Sequence, residues 1–182
     1  MKPLQNLILL TSLFAFCSCS NVVYHEIVPK GGKTLSSFPS ELQGDWLDPN
    51  NDTLHIFSDN YKYGSGEDEK SSFFEGELSQ NIVLKKYKGY YFLNINEEKK
   101  YWEMIAGQVD GDKLYLLSIE MDDIDQVQIL NSYLHGKDAK SIKSNNSLSQ
   151  DQIFIINPKD RELIKLLKNE TICDTSVFIK VK

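Results

Sequence analysis

The turn at Asp110-Gly111 constrains the fold more than any other feature of the sequence. Aspartate and glycine both tolerate the positive φ angles of a type I′ turn, so the pair predicts a two-residue hairpin loop. Apolar side chains alternate with a period of two in Tyr101–Val109, and the apolar segment Lys113–Glu120 follows the turn. Such alternation is typical of a β-strand. The sequence therefore predicts an antiparallel hairpin in the middle of the chain.

Similar short segments lie before that hairpin. A second tight turn is predicted at Lys88-Gly89. The strands expected ahead of the central hairpin are Gly44–Leu47, Thr53–Phe57, Ser72–Leu78, Ile82–Tyr87 and Tyr90–Ile95. With the central hairpin they make about seven short strands joined by tight turns, a pattern typical of a meander, an open sheet or a barrel.

The last third of the chain changes character and predicts helices. Asp123 can cap a first helix, with Gly136 as its stop. Asn157 followed by Pro158 predicts the start of a second helix, since proline fits the first helical position. Both helices come after the predicted hairpins, so one or two helices are expected to pack late in the chain.

Two further strands are expected on either side of the second helix, at Gln152–Ile156 and Ser176–Val181. The predicted fold class is mainly β: an antiparallel β-barrel or curved meander sheet with one or two C-terminal helices. Residues 39–182 are expected to form one β-rich domain, because a chain of this length builds its own core without disulfides.

The N-terminal segment predicts export. Lys2 supplies a positive charge, and an apolar run follows at Leu7–Phe16. That run is about half the ~20 residues that a helix needs to cross a bilayer. The segment therefore predicts a cleaved signal peptide rather than a transmembrane anchor.

The apolar run ends in the sequence Phe-Cys-Ser-Cys-Ser at residues 16–20. This resembles the lipobox of bacterial lipoproteins, in which an apolar residue and two small residues precede the cysteine that becomes the new N-terminus. The resemblance implies a signal peptide at residues 1–18 and acyl chains such as palmitate on Cys19. The alternative is an ordinary cleaved leader without lipid.

The residue after the cysteine bears on localisation. In lipoproteins an aspartate there favours retention at the inner membrane, whereas this chain has Ser20. The resemblance therefore implies a lipid-anchored protein of the cell outer membrane that faces the periplasm or the cell surface. Residues 20–37 hold Pro29 and Gly31-Gly32 and show little periodicity, so residues 19–38 are predicted to be a lipidated flexible tether.

The charge of the chain argues against nucleic acid as a partner. Removal of residues 1–18 takes away one lysine, which leaves 19 basic and 26 acidic residues and a net charge of −7. Phosphate binding needs clustered lysine and arginine, and Arg161 is the only arginine in the sequence. No nucleic-acid role is expected.

Motifs that carry chemistry are scarce. The histidines form no His-Glu-x-x-His pattern, and no Gly-x-Ser-x-Gly elbow or phosphate loop occurs. Asp48, Asn50 and Asp52 have the spacing of a calcium loop, but a hairpin turn explains the same residues. Cys173, the cysteine left after lipidation, is expected to be a small buried hydrophobe. No catalytic residue, metal or cofactor is predicted.

Gly44-Asp45-Trp46 lies on the first predicted strand, and a helix comes late in the chain. This resembles the lipocalin pattern, in which a Gly-x-Trp tryptophan plugs the closed end of a barrel. The resemblance implies that a late arginine packs on Trp46, yet Arg161 lies on a predicted helix. The alternative is a core tryptophan that follows a turn glycine.

Large aromatic residues are expected to line either a cavity or the core. The candidate ligand or core aromatics are Trp46, Tyr90, Phe92 and Trp102. The function predicted from these features is a non-catalytic binding module of the cell envelope for a small apolar ligand. An alternative is a protein-interaction or assembly subunit of an envelope complex, and an envelope hydrolase is a third.

Cys19→Ala is expected to abolish lipidation, because the thiol that accepts the lipid is lost. Radiolabelled palmitate incorporation in a bacterial host is the measurement. Cys17→Ala is the matched control and should leave labelling in place. Undiminished labelling of the Cys19→Ala variant would contradict the lipobox assignment.

Overall fold

The computed structural model describes residues 21–65, 72–96, 100–121, 124–134, 139–143 and 152–181. The leader, Cys19, and the predicted helix cap and stop at Asp123 and Gly136 lie outside these residues. The described elements are β1 (Asn21–Tyr24), β2 (Lys33–Leu35), β3 (Gly44–Leu47), β4 (Asp52–Ile56), β5 (Asn60–Ser65), β6 (Ser72–Glu77), β7 (Ile82–Tyr87), β8 (Tyr90–Ile95), β9 (Glu103–Asp110), β10 (Lys113–Ile119), α1 (Ile124–Tyr133), β11 (Ala139–Lys143), β12 (Gln152–Ile156), α2 (Asp160–Leu166) and β13 (Cys173–Lys180).

Among the described residues, ten strands form one antiparallel sheet that curls into a half-barrel. Its order is β2-β7-β8-β9-β10-β13-β3-β4-β5-β6. Chain neighbours pair along most of this sheet, and β13 joins the two halves by pairing with both β10 and β3. The predicted class, a curved antiparallel sheet with helices late in the chain, is confirmed.

Curling brings the end strand β6 back towards β7, with which it forms no ladder. A Cβ atom added to Gly76 on β6 would lie 2.6 Å from the Cδ1 atom of Ile82 on β7. Glycine at this position therefore permits the two strands to approach closely. The concave face of the sheet consequently encloses apolar side chains from both halves of the meander.

The central strands β8, β9 and β10 are covered on both faces. Successive residues of a strand point to opposite sides, so Tyr91 faces the concave side whereas Phe92 faces the convex side. Burial on both faces explains why these strands are apolar almost throughout. Two separate apolar clusters result, one on each side of the sheet.

The convex cluster lies under both described helices and a second sheet, with order β1-β12-β11. In that sheet β1 runs parallel to β12, and β11 runs antiparallel to it. Leu130 of α1 and Leu163 of α2 have no exposed surface. The side chains of this cluster that have no exposed surface at all are Phe92, Ala106, Leu130, Leu134, Ile156, Leu163 and Leu166.

The first described residues belong to this layer, which corrects the tether prediction. Strand β1 pairs with β12, and Val23, Tyr24 and Val28 are buried. The Asn94 side chain also holds this segment, since it accepts a hydrogen bond from the Val28 N–H and donates one to the Val28 carbonyl, both at 2.9 Å. The expectation of a flexible tether at residues 19–38 is therefore wrong from Asn21 onwards. An apolar run this short has no recognisable period.

The hairpin at Lys88-Gly89 is confirmed. Tyr87 pairs with Tyr90 across the ladder, so Lys88 and Gly89 are the two loop residues. Their φ angles are 48° and 85°, the positive pair that a type I′ turn requires. This turn adopts the geometry that the sequence pattern predicted for the central hairpin.

The central hairpin is confirmed, but its loop is shifted by one residue. Asp110 pairs with Lys113, so the loop residues are Gly111 and Asp112 rather than Asp110 and Gly111. Gly111 has a φ of 62°, and Asp112 is not among the positive-φ residues. A type II′ turn needs a positive φ only at its first loop residue, which glycine supplies here. The type I′ prediction at this site is wrong.

The helices agree with their predicted places except at one boundary. Helix α2 begins at Asp160 with Lys159 as its N-cap, so Pro158 precedes the helix instead of opening it. The backbone N–H of Lys159 donates to Glu162 Oε2 at 2.8 Å and thereby fixes the first turn. Neither described helix is long and apolar enough to span a membrane.

Trp46 anchors the concave cluster. Its side chain has no exposed surface, and its Nε1 atom donates a 2.8 Å hydrogen bond to the Leu42 carbonyl. Lys180 Nζ lies 4.8 Å from the centre of the ring, in a cation–π arrangement. Gly44 has a φ of 117°, and a Cβ atom there would lie 3.2 Å from Lys180 Cε. Glycine at position 44 therefore permits this backbone conformation and leaves room for the Lys180 side chain.

Trp46→Ala should lower the free energy of unfolding by ~3–5 kcal/mol, because a large buried ring is lost and a hole remains. Urea unfolding provides the measurement. Trp102→Ala is the control, since Trp102 is only partly buried and should cost less. A loss below ~1 kcal/mol for Trp46→Ala would show that the ring is not part of the core.

Candidate ligand-binding site

A cavity of about 320 Å³ lies on the concave side of the half-barrel. This is the lower end of the ~300–1,000 Å³ usual for small-molecule pockets. Both halves of the meander and the segment before β3 contribute to it. The described lining residues are Phe38, Leu42, Leu54, Ile56, Tyr61, Tyr63, Phe74, Leu84, Tyr91, Leu93, Ile105, Gly107, Leu114, Leu116, Leu117, Ser118, Ser176 and Phe178.

The cavity has a buried floor and a more exposed side. Side chains near Trp46, such as Leu84 and Leu114, have almost no exposed surface. Tyr63, Phe74 and Leu116 are only partly buried and lie on the open side. The lining is therefore most accessible away from Trp46.

Strand β13 creates that opening, because it pairs with β10 along its whole length but with β3 only at Ile179 and Lys180. The earlier part of β13 has β10 on one edge and diverges from β3 on the other. At the inner end of the gap the Phe178 ring contacts the Tyr63 ring edge-on, with centroids 5.9 Å apart. The cavity is thus open between β13 and the β3–β4 side of the sheet.

Gly107 leaves room in the middle of the lining. It pairs with Tyr91 on one side and Leu116 on the other. A Cβ atom added there would meet Leu116, Leu114 and Tyr91 at 3.7–3.9 Å, which is ordinary van der Waals contact. A larger side chain at this position would therefore project into the cavity without colliding with the backbone.

Residues 38–43 close the opposite end and are called the plug segment. The Phe38 N–H donates to the Ser58 carbonyl at 2.7 Å, and Gln43 Nε2 donates to the Phe38 carbonyl at 2.6 Å. With the bond from Trp46 to Leu42, these contacts hold the plug segment across the end of the barrel. Phe38 and Leu42 are consequently buried as part of the cavity floor.

A charged network fastens the plug segment to the sheet. The Tyr91 hydroxyl donates a short hydrogen bond to Glu41 Oε1, and Lys86 Nζ donates to the Tyr91 oxygen at 2.6 Å. The bond from Tyr91 lowers the pKa of Glu41, and the bond to Tyr91 raises the pKa of Lys86. Burial, followed by the bond to Glu41, raises the pKa of Tyr91. All three groups therefore keep their usual protonation at neutral pH.

The four aromatics singled out from the sequence all lie in or against the packed clusters. Trp46 is in the concave cluster beyond the cavity floor, and Phe92 is buried in the convex cluster. Tyr90 and Trp102 pack against the convex cluster. None of the four lines the cavity. The adjacent Tyr91 does, because neighbouring strand residues face opposite sides.

Several cavity residues were not singled out from the sequence. Tyr61 and Tyr63 of β5 and Phe74 of β6 form part of the lining, as do Leu114 and Phe178. The alternation of Tyr61 and Tyr63 indicates a shared face of one strand. It does not indicate that this face is concave, which depends on the curl of the whole sheet.

The calcium-loop pattern is a turn in the structure. Asp48 Oδ1 accepts the backbone N–H groups of Asn50 and Asp52, both at 2.8 Å. Asp48 Oδ2 accepts the Tyr63 hydroxyl at 2.9 Å. Within the described residues no three His, Cys, Asp or Glu side chains are grouped to hold a metal ion. The carboxylate of Asp48 is therefore occupied in ordering its own turn.

Cys173 has the properties of a structural residue. It is a buried free thiol, and burial raises its pKa to about 11. A thiol with such a pKa is almost fully protonated at neutral pH and is a poor nucleophile. Cys173, at the start of β13, therefore contributes to packing rather than to a reaction.

Comparison of the chain with protein-family models, curated proteins and solved structures finds no match. The interpretation of the cavity therefore depends on its own geometry and chemistry. Those features are an apolar interior, one open side and a fastened plug segment at the closed end.

Tyr91→Phe should lower the free energy of unfolding by about 1 kcal/mol, since the hydroxyl bonds a half-exposed carboxylate. Urea unfolding at neutral pH is the measurement. Tyr90→Phe, on the opposite face of the same strand, is the matched control. Equal effects of the two substitutions would contradict a specific role for the Glu41–Tyr91–Lys86 network.

Proposed function

We propose that this protein is a lipid-anchored component of the bacterial cell envelope that binds a small apolar ligand without catalysing a reaction. The observation that carries the proposal is the cavity of about 320 Å³ on the concave side of the half-barrel. Its described lining consists of aliphatic and aromatic side chains, with the hydroxyls of Ser118, Ser176 and three tyrosines as its polar side-chain groups. Removing apolar ligand surface from water into such a space is favourable.

The anchor proposal is supported by the lipobox-like sequence that ends in Cys19 and by Ser20 after it, which favours the outer membrane. Strand β1 begins at Asn21 and belongs to the packed domain. A lipid on Cys19 would therefore hold the domain close to the bilayer surface. An apolar ligand would reach the cavity from a nearby membrane more readily than from bulk water.

The alternative of an assembly subunit has less support. Among the described residues, the large apolar side chains that are more than a third exposed are Phe57, Ile179 and Val181. Phe57 is partly covered by stacking on His55, with centroids 6.5 Å apart. Singly exposed apolar residues are usual on soluble domains and do not define an interface.

An apolar fluorescent probe tests the cavity directly. N-phenyl-1-naphthylamine should bind the mature chain carrying Cys19→Ala, with an increase in its emission. Gly107→Leu should weaken that binding by about tenfold, because the new side chain excludes apolar probe surface equivalent to about two methylene groups, at ~0.8 kcal/mol each. Gln108→Leu is the matched control, since Gln108 is the next residue on the same strand and is exposed.

Two results would contradict the proposed function. One is the absence of saturable probe binding by the unsubstituted protein. The other is an equal effect of Gly107→Leu and Gln108→Leu, which would mean that the probe binds elsewhere. Thermal unfolding of both variants separates loss of binding from loss of the fold.

A further inference from the structure

The cavity opens towards a rim of carboxylates, and this inference about its ligand rests on the function proposed above. Glu120 comes directly after β10 and lies on the same side as Ser118, because residues two apart in an extended chain share a face. Ser118 lines the cavity, and its hydroxyl donates to Glu120 Oε1 at 3.2 Å. On β13, Asp174 pairs directly with Ser118 and lies two residues before the lining residue Ser176. Glu120 and Asp174 are both exposed.

The other side of the opening carries carboxylates as well. Tyr63 lines the cavity and donates its hydroxyl to Asp48 at 2.9 Å. Burial raises the pKa of Tyr63 to about 12, with further contributions from the bond to Asp48 and from the charges of Asp48 and Asp52. Burial alone would raise the pKa of Asp48, but bonds from Asp52, Tyr63 and Asn50 hold it below the usual value. Asp48 is therefore negative at neutral pH.

The lysines of the concave side lie at the closed end. Lys86 is bound to Glu41 and Tyr91 beneath the plug segment, and Lys180 lies over Trp46. Lys113 begins β10 beside the closed-end turn, and alternation from Leu114 places it on the convex face. Among the described strand residues, no lysine or arginine occupies the concave face next to Ser118, Ser176 or Tyr63. The described strands thus place carboxylates on both sides of the open end and no lysine or arginine on the concave face between them.

We propose that the ligand is a cationic amphiphile, with an apolar body in the cavity and an ammonium-type head between the two pairs of carboxylates. The apolar lining would contact the apolar body of such a molecule, and the carboxylates of the rim would attract its positive head. A fatty acid of the same length would place its carboxylate beside Asp48, Asp52, Glu120 and Asp174, where like charges repel. The rim is exposed to water, so the preference is expected to weaken as salt is added.

Ten-carbon amphiphiles that differ only in their head group provide the test. Decylammonium, decanol and decanoate each compete with N-phenyl-1-naphthylamine for the mature Cys19→Ala chain, at concentrations below micelle formation. Decylammonium should displace the probe at about one tenth of the decanoate concentration in 20 mM salt, and at ~0.5 M salt this ratio should approach one. Decanol should fall between the two charged compounds.

Two double variants test whether the carboxylates at the opening cause the preference for decylammonium over decanoate. The double variant Glu120→Gln, Asp174→Asn should lose most of the discrimination between decylammonium and decanoate while it still binds decanol. The double variant Glu26→Gln, Asp112→Asn is the matched control. It removes the same charge at exposed positions away from the opening and should keep the discrimination.

The outcomes separate the two proposals. If the probe binds and decanoate competes as well as decylammonium at low salt, the cationic ligand is excluded and the apolar cavity stands. Equal discrimination by the rim variant and the control variant would also overturn the rim assignment. If neither the probe nor any of the three amphiphiles binds, the cavity itself is not a binding site.

Discussion

Strand β13 is the element on which the rest of the structure depends. Its ladder with β10 extends from Lys113–Ile179 to Ile119–Cys173, and its shorter ladder with β3 joins the two halves of the meander. The earlier part of this strand is separated from β3, because the chain after Leu47 turns away where Asp48 Oδ1 accepts the backbone N–H groups of Asn50 and Asp52. Closure at one end of the half-barrel and opening at the other are therefore consequences of one strand.

The two apolar clusters differ in what covers them. On the convex side, both described helices and the smaller sheet cover the central strands, and the cluster includes fully buried leucines from both helices. On the concave side the opposing surface is the sheet itself. Large side chains such as Trp46 fill the end where the plug segment is fastened, whereas Gly107 lines the cavity without a side chain to fill it. The cavity is the space that the side chains of the concave face leave unfilled.

The sequence predicted the hairpins and most of the strands, because tight turns and period-two patterns are local. It did not predict β1, where three apolar residues are too few to establish a period, nor that Asn94 binds the Val28 backbone from far along the chain. The lipocalin resemblance implied a late arginine on Trp46, whereas Lys180 occupies that place. The cavity lining could not be predicted from the sequence. Alternation shows that Tyr90 and Tyr91 face opposite sides of their strand, but only the curl of the whole sheet decides which of them faces the cavity.

The charged side chains of the concave side differ between the closed end and the open end of the half-barrel. At the closed end Glu41 is bonded to Tyr91 and Lys86, and Lys180 lies over the Trp46 ring. Those contacts stabilise the plug segment and leave little charge to attract a solute. At the open end the Asp48 carboxylate is held by backbone N–H groups and a tyrosine hydroxyl, which bond it without neutralising it. Asp48 therefore keeps its negative charge where the apolar lining meets solvent, and the proposed binding of a positively charged head group depends on this feature.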